Sequence, residues 1–188
     1  ARSRRDSWMQ GTDMERYEGQ EYLYYVGCTG SYDTRAQRSA RALGTLLGRA
    51  GVSFGVLGNE ENCDGNEVHK LGEAGLFEML AQDNIERFKA LGANKIVTLS
   101  PHAYNAMKNL YPRYGGDFQV FHYTGLLYEL IKEGRLDVSN GFDAQLTYHD
   151  PCFLGGGFSQ PFPPFGWPRW RRAGTRHCAA AEGPAILR

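Results

Sequence analysis

Five short apolar runs, each separated from the next by a helical pattern, constrain this chain more than any other feature. They are Glu21–Gly27, Val52–Gly58, Lys95–Leu99, Phe118–His122 and Ala144–Tyr148. All are rich in Val, Ile, Phe, Leu or Tyr, and most are bounded by Gly or Pro, as strands are. Between the first two, residues Asp33–Ala50 carry Ala36, Ala40, Leu43, Leu46 and Leu47 at helical spacing, with Gly51 as a stop. Asn66–Leu91 predicts the longest helix, with Leu71, Phe77, Leu80, Ile85 and Phe88 on one side. Pro101–Leu110 opens on a first-turn proline, and Tyr123–Glu133 ends at Gly134. Strands that alternate with helices pair in parallel, because each helix is the crossover that returns the chain to the same sheet edge.

The expected fold class is therefore α/β: a Rossmann-like, mostly parallel sheet with flanking helices, followed by a truncated second domain. In such sheets ligands sit beyond the carboxyl ends of the strands. Three of the four cysteines fall there. Cys28 follows the first run, Cys63 comes shortly after the second, and Cys152, in "HDPC", follows the fifth. His102, His122 and His149 lie near the same strand ends. The cysteines are widely spaced and the chain opens with no secretion signal, so thiols or metal ligands are expected rather than disulfides.

The ends of the chain read differently. Residues 1–20, "ARSRRDSWMQGTDMERYEGQ", are polar and are read as a linker; a start without Met reads as the interior of a longer product. Residues 21–142 are read as the first domain, 143–155 as the start of a second, and 156–188 as a tail that is disordered or translated from a shifted frame. From Gly155 onward the text holds five of the eight prolines, and five arginines against one acid, with no strand or helix period. His177 and Cys178 are assigned no role. Net formal charge is zero, which argues against a nucleic-acid partner. No run approaches the ~20 apolar residues of a membrane helix, so a cytoplasmic location is expected, with attachment to the cytoplasmic face of a membrane through regions outside this sequence.

The local motifs exclude several chemistries. A phosphatase loop needs C-x5-R, whereas Cys28 to Arg35 is C-x6-R. "GCTGS" is neither G-x-G-x-x-G nor a Walker A. No serine occupies a G-x-S-x-G elbow. Glu60–Glu61 reads as a solvated loop, Asn62 or Asp64 as a helix cap, and His69 as a surface residue.

Four phrases together, "YLYYVGCTGSYDTRAQ", "EENCDGNEVHKLGEAGLFEMLAQDNIE", "IVTLSPHAYNAMKNLYPRYGG" and "LTYHDPCFLG", resemble the cysteine-rich CCG-domain iron–sulfur proteins. That family includes the B/D-type subunit of heterodisulfide reductase and bacterial (Fe-S)-binding oxidoreductases associated with electron-transfer flavoprotein or acyl-CoA metabolism. The resemblance covers about residues 20–155. It implies two α/β domains, each offering a cysteine, a Cys-Cys-Gly and a C-x-x-C to a [4Fe–4S] cluster.

Residue by residue, Cys28 matches the first cysteine of the first domain, and Cys63 the first of the Cys-Cys-Gly pair. Asp64 stands where the second would be, and Gly65 is kept. Ser100 and Ala103 stand at the C-x-x-C positions, and Cys152 matches the first cysteine of the second domain. The metal and cofactor residues implied are therefore Cys28, Cys63 and Cys152, with His102, His122 and His149 along the same edge, and the cluster is complete, incomplete or absent in this chain. The implied function is that of an iron–sulfur electron-transfer oxidoreductase subunit passing electrons between a flavin or ferredoxin partner and a disulfide or quinone acceptor. The implied partners are electron-transfer flavoprotein or ferredoxin and the remaining domains of the subunit. Any enzyme activity would belong to the full-length protein, this chain alone being inactive. The competing reading is a non-catalytic α/β docking domain that binds no metal.

Overall fold

The computed structural model describes residues 4–139. The fifth expected strand, His149, Cys152, the second-domain start and the tail lie outside the described residues.

Four strands form one sheet: β1 (Tyr22–Tyr25), β2 (Phe54–Val56), β3 (Lys95–Thr98) and β4 (Gln119–His122). Their order across the sheet is β2-β1-β3-β4, and every pair is parallel. Each strand is shorter than its apolar run, because only three or four residues per run have a neighbour on the ladder. The helices are α1 (Gly27–Tyr32), α2 (Thr34–Arg49), α3 (Asn66–Lys70), α4 (Ala74–Ala90), α5 (Pro101–Asn105) and α6 (Tyr123–Lys132). The chain leaves β1 toward one edge, returns past it to β3, and so creates a crevice at the carboxyl ends of β1 and β3, where such folds bind ligands.

Strand alternation sends successive side chains to opposite faces. Leu23, Tyr25, Ile96 and Val120 face α4 and α5, packing with Phe77, Ala81, Ile85, Phe88, Ala103 and Met107. Tyr24, Val26, Val56 and Val97 face α2 and α6, packing with Ala40, Leu43, Leu47, Leu126 and Leu130. The sheet is thus covered on both sides, which is why its strands read as continuous apolar runs.

Two expectations are corrected. The single helix over Asn66–Leu91 is split into α3 and α4. Gly72 turns the chain at φ +85°, and Leu71, expected in the core, is 81% exposed as a result. Upstream of Thr34 the backbone makes a further short helix, α1, which the sequence pattern does not announce. Asp33 separates the two, its Oδ1 accepting from the backbone N–H groups of Arg35 and Ala36 to cap α2.

The opening segment, read as a linker, packs against the sheet. Trp8 is fully buried and meets Tyr24 edge to face at 6.2 Å. Arg16 pairs in parallel with Val56, with Tyr17 N donating to Val56 O at 3.1 Å and Val56 N to Glu15 O at 3.0 Å. This contact extends the ladder beyond β2 and comes so close that a Cβ on Gly55 would lie 2.5 Å from Tyr17 Cα. Among the described residues no helix is long and apolar enough to cross a membrane.

Because Trp8 fills a core site, Trp8→Ala is expected to lower stability by about 3 kcal/mol, as large-to-small core changes do. Urea unfolding of the two proteins, compared at the midpoint, measures it.

Candidate metal centre

The site is assembled at the end of β1. The chain leaves the sheet at Val26 and turns through Gly27 at φ +80°, so α1 starts at once and Cys28 lies in its first turn. The second component is the 61–66 loop, which crosses the same edge after β2. Its backbone is held from below by buried polar groups. Tyr25 OH donates to Asn62 O at 2.6 Å, Asn84 Nδ2 to Cys63 O at 2.8 Å, and Tyr111 OH to Asp64 O at 3.1 Å. Asn84 Nδ2 also donates to Tyr111 Oη at 3.0 Å, which closes the network. Gly65 takes φ +79°, and a Cβ there would lie 2.8 Å from the Phe77 ring, so both conformation and space demand glycine.

This framework brings two sulfurs together. Cys28 and Cys63 are free thiols, each half-buried, and they lie within hydrogen-bond reach of one another. Gly65 N–H points to Cys63 Sγ at 3.5 Å, and Arg5 Nη1 to Cys28 Sγ at 3.4 Å. The hydrogen bond from Cys63, working against burial and helped by the Arg5 guanidinium, lowers the Cys28 pKa to about 6. Cys63 is pushed the other way, by the same contact with Cys28 and by its own burial.

Arg5 comes from the segment read as a linker. Its Nη2 donates to Glu61 Oε1 at 2.6 Å and to Asn62 O at 3.3 Å. Glu61 in turn accepts from Val26 N at 2.9 Å and Gly27 N at 2.8 Å, the two amides that lead into Cys28. Burial raises the Glu61 pKa, and Arg5 with the two amides pull it back. Glu60 and Glu61 therefore part company: Glu60 makes an exposed pair with Arg87, as a solvated loop would, whereas Glu61 is 2% exposed.

The other sequence candidates take varied positions. Asp64 is buried, and its Oδ1 accepts from Asn66 N at 2.9 Å; burial raises its pKa. It stabilises the turn into α3, while the capping position itself is Gly65. Ser100 caps α5, its Oγ accepting from Ala103 N at 3.2 Å, and Ala103 is fully buried. His122 is buried, with Nδ1 on Thr124 Oγ1 at 2.8 Å and Nε2 on Leu99 O at 3.2 Å; burial lowers its pKa to about 4. It is a neutral structural residue with both nitrogens engaged. His102 pairs with Glu67.

Two thiolates are half of what a [4Fe–4S] cluster takes. Asp64 adds a hard oxygen, a poor match for iron–sulfur chemistry, and Ala103 adds nothing. Among the described residues no group of three or more His, Cys, Asp or Glu side chains is arranged to hold a metal ion. The described residues thus offer two of the four thiolates that such a cluster takes. Sequence reasoning finds Cys28 and Cys63 but misses Arg5, Glu61, Asn84 and Tyr111. None of these carries a motif, and the polar character of Arg5 and Glu61 reads as surface.

Residues 22–108 match the family model described as a cysteine-rich domain, CCG. The chain is 46% identical over 144 residues to the EtfAB:quinone oxidoreductase of Syntrophomonas wolfei, covering 75% of this chain and 20% of that protein. It is 42% identical over 164 residues to the "Probable iron-sulfur-binding oxidoreductase FadF" of Bacillus subtilis, covering 82% and 23%. Against the D-type subunit of the dihydromethanophenazine:CoB–CoM heterodisulfide reductase of Methanosarcina acetivorans it is 33% identical over 149 residues, covering 76% and 36%. The chain therefore spans about a fifth to a third of the length of these relatives. No solved structure matches.

Alkylation with iodoacetamide, followed by mass spectrometry as a function of pH, should modify Cys28 with a midpoint near 6. In Cys63→Ala that midpoint should rise toward the ordinary thiol value, since the hydrogen bond that favours the Cys28 thiolate is gone.

Proposed function

The chain belongs, through residues 22–108, to the cysteine-rich CCG domain family, and on that premise we propose that it is part of an iron–sulfur electron-transfer oxidoreductase subunit. The subunit passes electrons between a flavin or ferredoxin partner and a disulfide or quinone acceptor. The observation that carries this reading is the meeting of Cys28 and Cys63, which lie 35 residues apart in sequence, at the carboxyl edge of a parallel sheet. Two sulfurs held in contact, with a guanidinium that favours the thiolate form of Cys28, suit soft iron. The names of the similar proteins, which specify iron–sulfur binding, quinone and heterodisulfide chemistry, support the same class.

Cys28 and Cys63 are the proposed ligands from this domain, and Cys152, outside the described residues, is the proposed third. A bound cluster supplies one-electron transfer. The protein's part is to hold the two sulfurs, keep Cys28 deprotonated, and cover the inner side of the site with Tyr25, Asn84 and Tyr111. Electron-transfer flavoprotein or a ferredoxin is the proposed donor-side partner, and the rest of its own subunit the structural one. Work on a quinone would bring the protein to the cytoplasmic face of a membrane.

A second reading has its own observation. Ser100 is committed to capping α5 and Ala103 is buried, so the two C-x-x-C positions here serve the fold. On that basis the domain is a docking surface that binds no metal.

Anaerobic reconstitution with ferrous iron and sulfide separates the two. The first reading expects broad thiolate-to-iron absorption in the visible, with most of it lost in Cys28→Ser. Iron below one atom per chain, together with capture of electron-transfer flavoprotein by the metal-free protein, would favour the docking surface.

A further inference from the structure

Arg5 lies outside the matched residues 22–108, and yet it touches both segments that carry the thiols. One guanidinium reaches Cys28 Sγ through Nη1, and Glu61 Oε1 and Asn62 O through Nη2. Cys28 belongs to α1, while Glu61 and Asn62 lead directly into Cys63. Glu61 completes the circuit by accepting from Val26 N and Gly27 N, immediately before Cys28. Arg5 and Glu61 together therefore fasten the Cys63 loop to the turn that carries Cys28. The planar fork of arginine suits this, because it reaches several acceptors in one fixed geometry, which a lysine ammonium does not.

Two further observations point past simple structural pairing. Arg5 is 5% exposed, so its charge is withdrawn from water and its donors count fully. Its Nε is buried and has no acceptor among the described residues, which leaves a spare donor on the same guanidinium that reaches Cys28. An anionic occupant, with thiolate or sulfide acceptors, would use that donor.

We infer that Arg5 is a positioning residue of this centre, setting the approach of Cys28 to Cys63 and donating a hydrogen bond to the Cys28 thiolate. The role in pairing the sulfurs stands without the function proposed above.

The test uses the full chain in three forms: wild type, Arg5→Met and Arg5→Lys. Arg5→Met leaves Glu61 buried without its cation, so this variant can fail to fold. Arg5→Lys keeps the charge on Glu61 and loses the fork, and circular dichroism identifies which variants are folded. Metal-free protein is treated with phenylarsine oxide, which bridges two thiols only when they lie close together. Wild type is expected to be captured through Cys28 and Cys63, and folded Arg5→Lys at least about tenfold more slowly, as misplaced reacting groups are. Capture of Arg5→Lys at the wild-type rate overturns the inference, whatever the chain does with iron. If wild type takes up no iron, the proposed function fails, and the arsenical result still decides the positioning role.

Discussion

A carboxylate at 2% exposure, that of Glu61, holds the functional edge of this domain together. It gathers three donors: the Arg5 guanidinium and the amides of Val26 and Gly27. Removing a charge from water is costly, and a buried pair offsets that cost only with near-complete hydrogen bonding. Glu61 meets that condition with two amides at the start of α1, where a negative charge is also favoured. The interaction contributes little to overall stability compared with an apolar replacement. What it fixes is geometry, since it ties β1, the loop after β2 and the N-terminal segment to one point.

The loop built on that point keeps its shape even where its sequence departs from the family pattern. Asp64 stands at the second position of the Cys-Cys-Gly and makes a local hydrogen bond to Asn66 N. The carbonyls around it are held by Tyr25, Asn84 and Tyr111, none of which depends on the side chain at residue 64. A cysteine can therefore be lost there while the fold is retained. The same holds after β3, where Ser100 caps a helix and Ala103 fills the core. The domain keeps this frame with two sulfurs, those of Cys28 and Cys63, at its edge.

The N-terminal segment alters how the domain boundary is understood. Trp8 buries an indole against Tyr24, Arg16 pairs with Val56 at the edge of the sheet, and Arg5 reaches the thiols. An unpaired β2 edge would expose a row of backbone donors and acceptors. This strap covers the edge and carries a charge to the site in doing so.

Much of the architecture was legible in the order of residues. Four described strands fall inside their apolar runs, α2 and α6 end close to their glycines, and Cys28 and Cys63 sit past strand ends, as parallel topology requires. These features are local: period, propensity and punctuation act within a few residues. The break at Gly72, the helix α1 and the burial of Glu61 were not legible. Gly72 reads as a single glycine tolerated inside a helical pattern, and Glu61 is identical in type to its exposed neighbour Glu60. The sequence by itself determined an α/β sheet with thiols along its carboxyl edge. Only the tertiary structure decided that the two sulfurs meet and that Arg5 fastens their segments, because those contacts join positions 5, 28, 61 and 63 through docking, and no local pattern encodes which distant polar groups will meet once water is excluded.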